Sequence, residues 1–163
     1  MLMGNIPLTE DRKPVNKRYF DALPDNFRES ALLDRFHCFI EGWYLPRINK
    51  SMLYKGWTLN MEYFFEIMPT LLVQKVYAEL FDKLVDYDRK AGMREFTAVK
   101  RIATAYIKLL FPHWTTVEDV DLDEFDTFCL QPAIHRRGII QQQCHYIDPE
   151  YKAEMPAIWV TRG

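Results

Sequence analysis

The chain has 163 residues, 48% of them hydrophobic and 15% aromatic, enough for one domain that buries roughly 70% of the surface its unfolded chain exposes. Its 6 Gly and 9 Pro exclude a low-complexity or collagen-like chain. With 21 basic against 23 acidic side chains the net charge is -2, which offers no global attraction for nucleic acid or anionic lipid, so binding either one needs a local patch.

In chain order, Met1-Leu2-Met3 followed by Gly4-Asn5 and a polar stretch holding Pro7, Pro14 and Pro24 predicts a strand remnant and a long loop. From Asp25 onward Phe27, Ala31, Leu32, Phe36, Phe39 and Ile40 fall near one face of a first helix, capped by Asp25 or Asn26 and ended at Gly42. Trp43 to Gly56, with Pro46, reads as a connector. Thr58 is placed to cap a second helix running toward Met68 and broken or kinked at Pro69, and Leu71 to Val85 is a third. Phe96, Val99, Ile102, Ala103, Tyr106 and Leu110 form the cleanest amphipathic stripe, a fourth helix stopped at Pro112. Thr115-x-x-Glu118 and Asp121-x-x-Glu124 are capping-box-like starts of a fifth element, interrupted by Pro132 and ending near Tyr146. Ile158-Trp159-Val160 is a short terminal strand. No internal repeat is present, and the expected fold class is mainly α, a helical bundle; an opening strand without a partner places its natural sheet upstream of Met1.

The motifs that are absent bound the chemistry. The sequence has no G-x-x-x-x-G-K-[ST] phosphate loop, no G-x-S-x-G elbow, no H-E-x-x-H and no paired C-x-x-C, so independent phosphoryl transfer or hydrolysis has no constellation to carry it. Cys38, Cys129 and Cys144 are odd in number, widely spaced and set among apolar neighbours, as free thiols in a reducing cytosol would be. A zinc site from His37-Cys38 and Cys144-His145 is disfavoured because adjacent helical residues point about 100° apart, and buried thiols with no metal are expected. No apolar run approaches the roughly 20 residues of a membrane span, and Met1 to Gly4 is too short for a signal segment, so a cytoplasmic protein without membrane contact is expected. Arg12, Lys13, Lys17 and Arg18 beside Tyr19 and Phe20 form a candidate nucleic-acid patch, against the plainer reading of a solvated loop. Trp43, Tyr44, Trp57 and Tyr63 suit a core, or else an interface.

The run Ala31-Leu32-Leu33-Asp34-Arg35-Phe36, after a Pro-containing loop and after Gly4-Asn5, resembles a AAA+ ATPase, in which a strand ending in a polar sensor precedes a helix with an A-L-L-x-R-F arginine finger and then a helical lid. The resemblance implies that Asn5 is the first sensor, that Arg35 is a finger serving a neighbouring subunit's site, and that the lid starts near Trp43. An arginine suits this task because its planar, permanent charge bridges phosphoryl oxygens as charge develops; read alone, Arg35 is a surface arginine paired with Asp34 or Glu41. Met93-Arg94 with Arg101 to Lys108 resembles the lid helix of the minichromosome-maintenance-type branch, which makes Arg94, or Arg101, the second sensor. Seven residues are nearly two turns, so Arg94 and Arg101 share a face, which equally describes the solvated side of a helix.

Leu33-Asp34-Arg35-Phe36-His37, Ile40-Glu41-Gly42-Trp43-Tyr44-Leu45-Pro46 and Ala103 to His113 are similar to the Lon-related BrxL family over nearly the whole chain. Members join a AAA+ module to a Lon-like domain and are associated with BREX-type phage defence and with DNA. The resemblance implies residues 1–42 as a remnant of the large AAA+ subdomain, 43–157 as the lid and 158–163 as a linker. It implies ATP and Mg2+ as cofactors of an intact parent, with partners in an upstream nucleotide-binding subdomain, a downstream Lon-like domain, neighbouring ring subunits and DNA. The chain alone is then expected to be inactive. The alternative is a stand-alone helical protein- or nucleic-acid-interaction module.

Overall fold

The structure, a computed structural model, describes residues 3–58, 60–89 and 92–161. Its spine is the amphipathic stripe of the sequence, helix α4 (Met93–Leu110), which buries Ala98, Val99, Ala103 and Ile107. Against it lies α3 (Val76–Leu84), contributing Tyr77, Leu80, Phe81 and Leu84. Against it also lies a long carboxy-terminal helix made of α5 (Leu122–Phe125), a π-turn (Asp126–Leu130) and α6 (Gln131–Ile147). Phe125, Cys129, Leu130 and Ala133 close this core, with Trp114 stacked on Phe111 at its end. Each large apolar side chain among them contributes about 1.5–3 kcal/mol by leaving water. Strand β1 (Val85–Tyr87) pairs antiparallel with β2 (Ile158–Val160) in the register Val85↔Val160, Asp86↔Trp159, Tyr87↔Ile158, so the expected terminal strand forms and its partner follows α3 directly. The architecture is mainly helical.

A second, smaller core attaches the amino-terminal segment to α6. Leu33 of α1 (Ser30–Leu33) and Phe20 pack on Ile140 and Cys144. Gln143 reaches across as well, accepting from the Tyr19 amide at 2.7 Å and donating to the Lys17 carbonyl at 2.8 Å. The Phe39 amide donates to the Arg136 carbonyl at 3.2 Å. Residues 17–39 are therefore bound to the helical body along the length of α6.

Several sequence expectations are corrected. The first helix does not run from 27 to 42: after a 3-10 turn over Asp25–Phe27, α1 has four residues and the chain leaves helical geometry beyond Asp34. The carbonyls of Asp34 and Phe36 accept from Arg137 at 2.9 and 2.7 Å, a tertiary demand that overrides local periodicity. Pro69 does not break the second helix. Helix α2 (Met61–Val73) passes through it and is capped by Asn60, not Thr58; Pro69 and Phe65, whose carbonyl the proline leaves without its helical donor, are both exposed. The chain turns instead at Gln74, in extended geometry, before α3. Pro132 does not interrupt the carboxy-terminal helix either, because the π-turn just before it widens the helix where a proline ring would meet the carbonyl four residues back. The cap before that helix shifts by one residue, to Thr116 and Asp119, whereas Asp121 caps α5 with two amide bonds. Leu110 is half exposed rather than in the stripe. No strand forms over residues 3–7, while Met1 and Leu2 lie outside the described residues. Among the described residues no helix is long and apolar enough to cross a membrane.

Candidate functional site: an arginine-lined pocket

Where the chain leaves α1 it passes the first turns of α4, and the two segments enclose a pocket of about 270 Å³. Arg35 and His37 come from the chain beyond α1, Arg94 and Arg101 from α4, while Asp34 and Arg137 form the wall nearest the core. Thus three arginines separated by up to 66 positions in sequence share one cavity because the second core holds α1 against α6.

The wall is a buried ion triad. Arg137 is fully buried and donates through Nη2 to Asp34 Oδ1 at 2.5 Å and to Glu95 Oε1 at 3.2 Å. Its Nη1 donates to the carbonyls of Asp34 and Phe36, the residues on either side of Arg35. Asp34 Oδ2 accepts from Arg94, which is more than half exposed. That hydrogen bond, reinforced by charge attraction, raises the Arg94 pKa above its already high ordinary value. Arg101 Nη1 meets His37 Nε2 at 2.6 Å. Because arginine only donates, Nε2 is the acceptor and the ring is neutral with its proton on Nδ1. Partial burial, then the charges of Arg101 and Arg137, lower the His37 pKa and agree with that assignment.

Arg35 differs from its neighbours. It is exposed, and its guanidinium has no ion pair among the described residues. The two carboxylates offered to it by the surface-arginine reading are engaged elsewhere: Asp34 with Arg94 and Arg137, Glu41 with His135 at 2.8 Å. Four guanidinium groups face two carboxylates, Asp34 and Glu95, leaving an excess of two positive charges around the cavity. Such a site attracts anions with planar or tetrahedral oxygen arrays.

The other candidates lie elsewhere. Asn5 is exposed on an irregular segment and lines neither this pocket nor the larger cleft beside α3 and α4. Arg12, at a positive φ of 60°, is half-buried and turns back to donate to the Leu45 carbonyl at 2.9 Å, whereas Lys13, Lys17 and Arg18 are exposed. Cys129 and Cys144 are buried, and burial pushes the Cys144 thiol up to about 11, but Cys38 is exposed, contrary to the expectation of three buried thiols. Among the described residues no group of three or more His, Cys, Asp or Glu is placed to hold a metal ion. Trp43 is core, whereas Tyr44, Trp57 and Tyr63 are exposed.

Sequence reasoning misses Asp34, Glu95 and Arg137 as a unit. Glu95 sits one residue from Arg94, where periodicity assigns it to the helix start. Arg137 lies in α6, whose buried residues include Gln141 and Gln143 as well as Ile139 and Ile140, so no apolar stripe marks its inner face.

The described residues form a helical domain that presents clustered arginines beside a buried ion triad. Residues 1–157 match the family described as "Lon-like protease BrxL-like, ATPase domain", and the chain belongs to that family. It is 24% identical over 143 residues to the Lon-like protease BrxL of Bacillus cereus (strain H3081.97), and 24% identical over 144 residues to that of Escherichia coli O9:H4 (strain HS). These matches cover 87% and 88% of this chain but 20% of each relative, so the chain spans about a fifth of the length of the relatives it matches.

Proposed function

We propose that this segment supplies the arginine finger and the nucleotide-sensing arginines of a Lon-related AAA+ ATPase, acting on ATP bound by a neighbouring subunit. The observation that carries the reading is the pocket itself, where Arg35, without a carboxylate partner among the described residues, stands beside Arg94 and Arg101 over an excess of positive charge. Arg35 is the finger that meets charge developing on the transferred phosphoryl group. Arg94 and Arg101 sense the polyphosphate, and each must trade a present partner, Asp34 or His37, to do so. ATP supplies the phosphoryl group, and the guanidinium array fits its anionic oxygens. The described residues offer no acidic cluster for Mg2+, so that ion is assigned to an upstream nucleotide-binding subdomain of a longer parent.

In this reading residues 1–42 belong to the large AAA+ subdomain, with Asn5 as first sensor once its strand is paired, 43–157 form the lid and 158–163 lead toward a Lon-like domain. The isolated chain is inactive, the working unit is a ring, and the parent serves phage defence in the cytoplasm in association with DNA. Arg35→Ala in the parent should lower ATP turnover by about three orders of magnitude or more, as arginine fingers do, while ATP affinity stays within a few-fold; unchanged turnover would refute the assignment. The competing reading, a stand-alone interaction module, draws on the exposed Tyr44, Leu45, Ile48, Leu53, Tyr54 and Trp57 and on α2, none of whose residues is buried.

A further inference from the structure

The carbonyls that precede and follow Arg35 in the chain are both held by one buried side chain. Arg137 Nη1 donates to the Asp34 carbonyl at 2.9 Å and to the Phe36 carbonyl at 2.7 Å, while its Nη2 grips the Asp34 carboxylate at 2.5 Å. Glu95, next to Arg94 on α4, takes the remaining Nη2 hydrogen bond at 3.2 Å. We infer that Arg137 is a positioning residue for the arginine pair Arg35 and Arg94, clamping the backbone that carries Arg35 and, through Asp34, aiming Arg94 into the same pocket. The inference rests on the arginine-finger reading above.

Order imposed at a distance from the anion is what such a clamp supplies. Arg35 follows a helix of only four residues and lies in the turn that ends it, where its amide donates to the Leu32 carbonyl at 3.1 Å, so no continuing helix fixes its direction. A finger on such a segment would sample many orientations and spend little time in the one that meets a phosphoryl oxygen. The guanidinium of Arg137 removes this freedom because its planar fork fixes two acceptors on Nη1 and two on Nη2 at once. Lysine carries the same charge but, as a compact ammonium, cannot reproduce that planar array. Arg137 itself is fully buried, so it acts through Arg35 and Asp34 without touching the nucleotide.

The test is steady-state ATP hydrolysis by the full-length parent protein carrying Arg137→Lys, Arg35→Ala, or both, with folding of each variant checked by circular dichroism. For folded Arg137→Lys the clamp predicts a fall in kcat of at least about tenfold with KM for ATP within about threefold, because the finger acts on transition-state charge more than on substrate binding. Adding Arg137→Lys to Arg35→Ala should then cost clearly less than Arg137→Lys costs alone, since one of the two arginines it positions is gone and only Arg94 remains to be misplaced. A wild-type kcat in folded Arg137→Lys, or a full further loss in the double variant, overturns the clamp. Unchanged turnover in Arg35→Ala alone overturns the finger reading instead, so the two failures are distinguishable. If Arg137→Lys does not fold, the isosteric Asp34→Asn probes the same clamp from its other side: a kcat lowered at least about tenfold supports it, and a wild-type kcat in the folded variant overturns it.

Discussion

Replacing Arg137 by Met in the 163-residue chain tests whether the pocket wall is built as described. The substitution keeps a long side chain and deletes the only buried cation of the triad, leaving Asp34 at 3% and Glu95 at 9% exposure without their shared partner and two carbonyls without a donor. Breaking a buried pair from one side costs about 3–5 kcal/mol, because the remaining charge stays desolvated. Arg94 still reaches Asp34, which favours the lower half of that range. For a chain of this size each kcal/mol moves the melting temperature by about 2–4 °C, so the fall should be roughly 6–16 °C. Thermal unfolding followed by far-ultraviolet circular dichroism gives the number directly. The triple variant Asp34→Asn, Glu95→Gln, Arg137→Met, which removes every charge of the triad together, should recover part of the loss. A fall of less than about 2 °C for Arg137→Met would mean that the charges are hydrated rather than buried, and would refute the triad.

Three further outcomes follow from the same geometry. His37 should titrate below its ordinary value of about 6.5 in a proton NMR titration, and removing the neighbouring charge with Arg101→Ala should move it back up. Its folded pKa is lowered, so its contribution to stability is present above about 6.5 and is lost as pH falls toward and through the folded value; a midpoint at or above 6.5 would contradict the neutral ring facing Arg101. In native buffer a thiol reagent should label Cys38 and spare Cys129 and Cys144, with all three labelled in denaturant. The isolated chain should not shift DNA in a gel at low salt; a shift that disappears on neutralising Lys13, Lys17 and Arg18 would favour the interaction-module reading.

How much of the molecule is legible in its sequence depends on whether the deciding contact is local. Helix α4 is readable because its apolar residues recur on one face and Pro112 ends it, and the seven-residue spacing by itself puts Arg94 and Arg101 on one side. The segment after Leu33 misleads because the groups that take its carbonyls belong to Arg137, about a hundred positions away. Pro132 reads as a break because single-residue rules do not anticipate a π-turn upstream that makes room for the ring. Arg35 stands out from its sequence neighbours alone, but its freedom from Asp34 is not written there, since adjacency in sequence suggests pairing and the fold directs Asp34 inward to Arg137 instead.

That Arg35 acts across a subunit boundary is tested most directly by mixing two inactive forms of the parent protein. One carries Arg35→Ala with its own nucleotide site intact; the other keeps Arg35 but has its nucleotide site disabled. If the finger works in trans, mixed rings should regain ATP hydrolysis, because an intact site on the first form is then served by Arg35 of the second. Full turnover by Arg35→Ala alone, or no recovery in rings shown to contain both forms, would contradict the assignment.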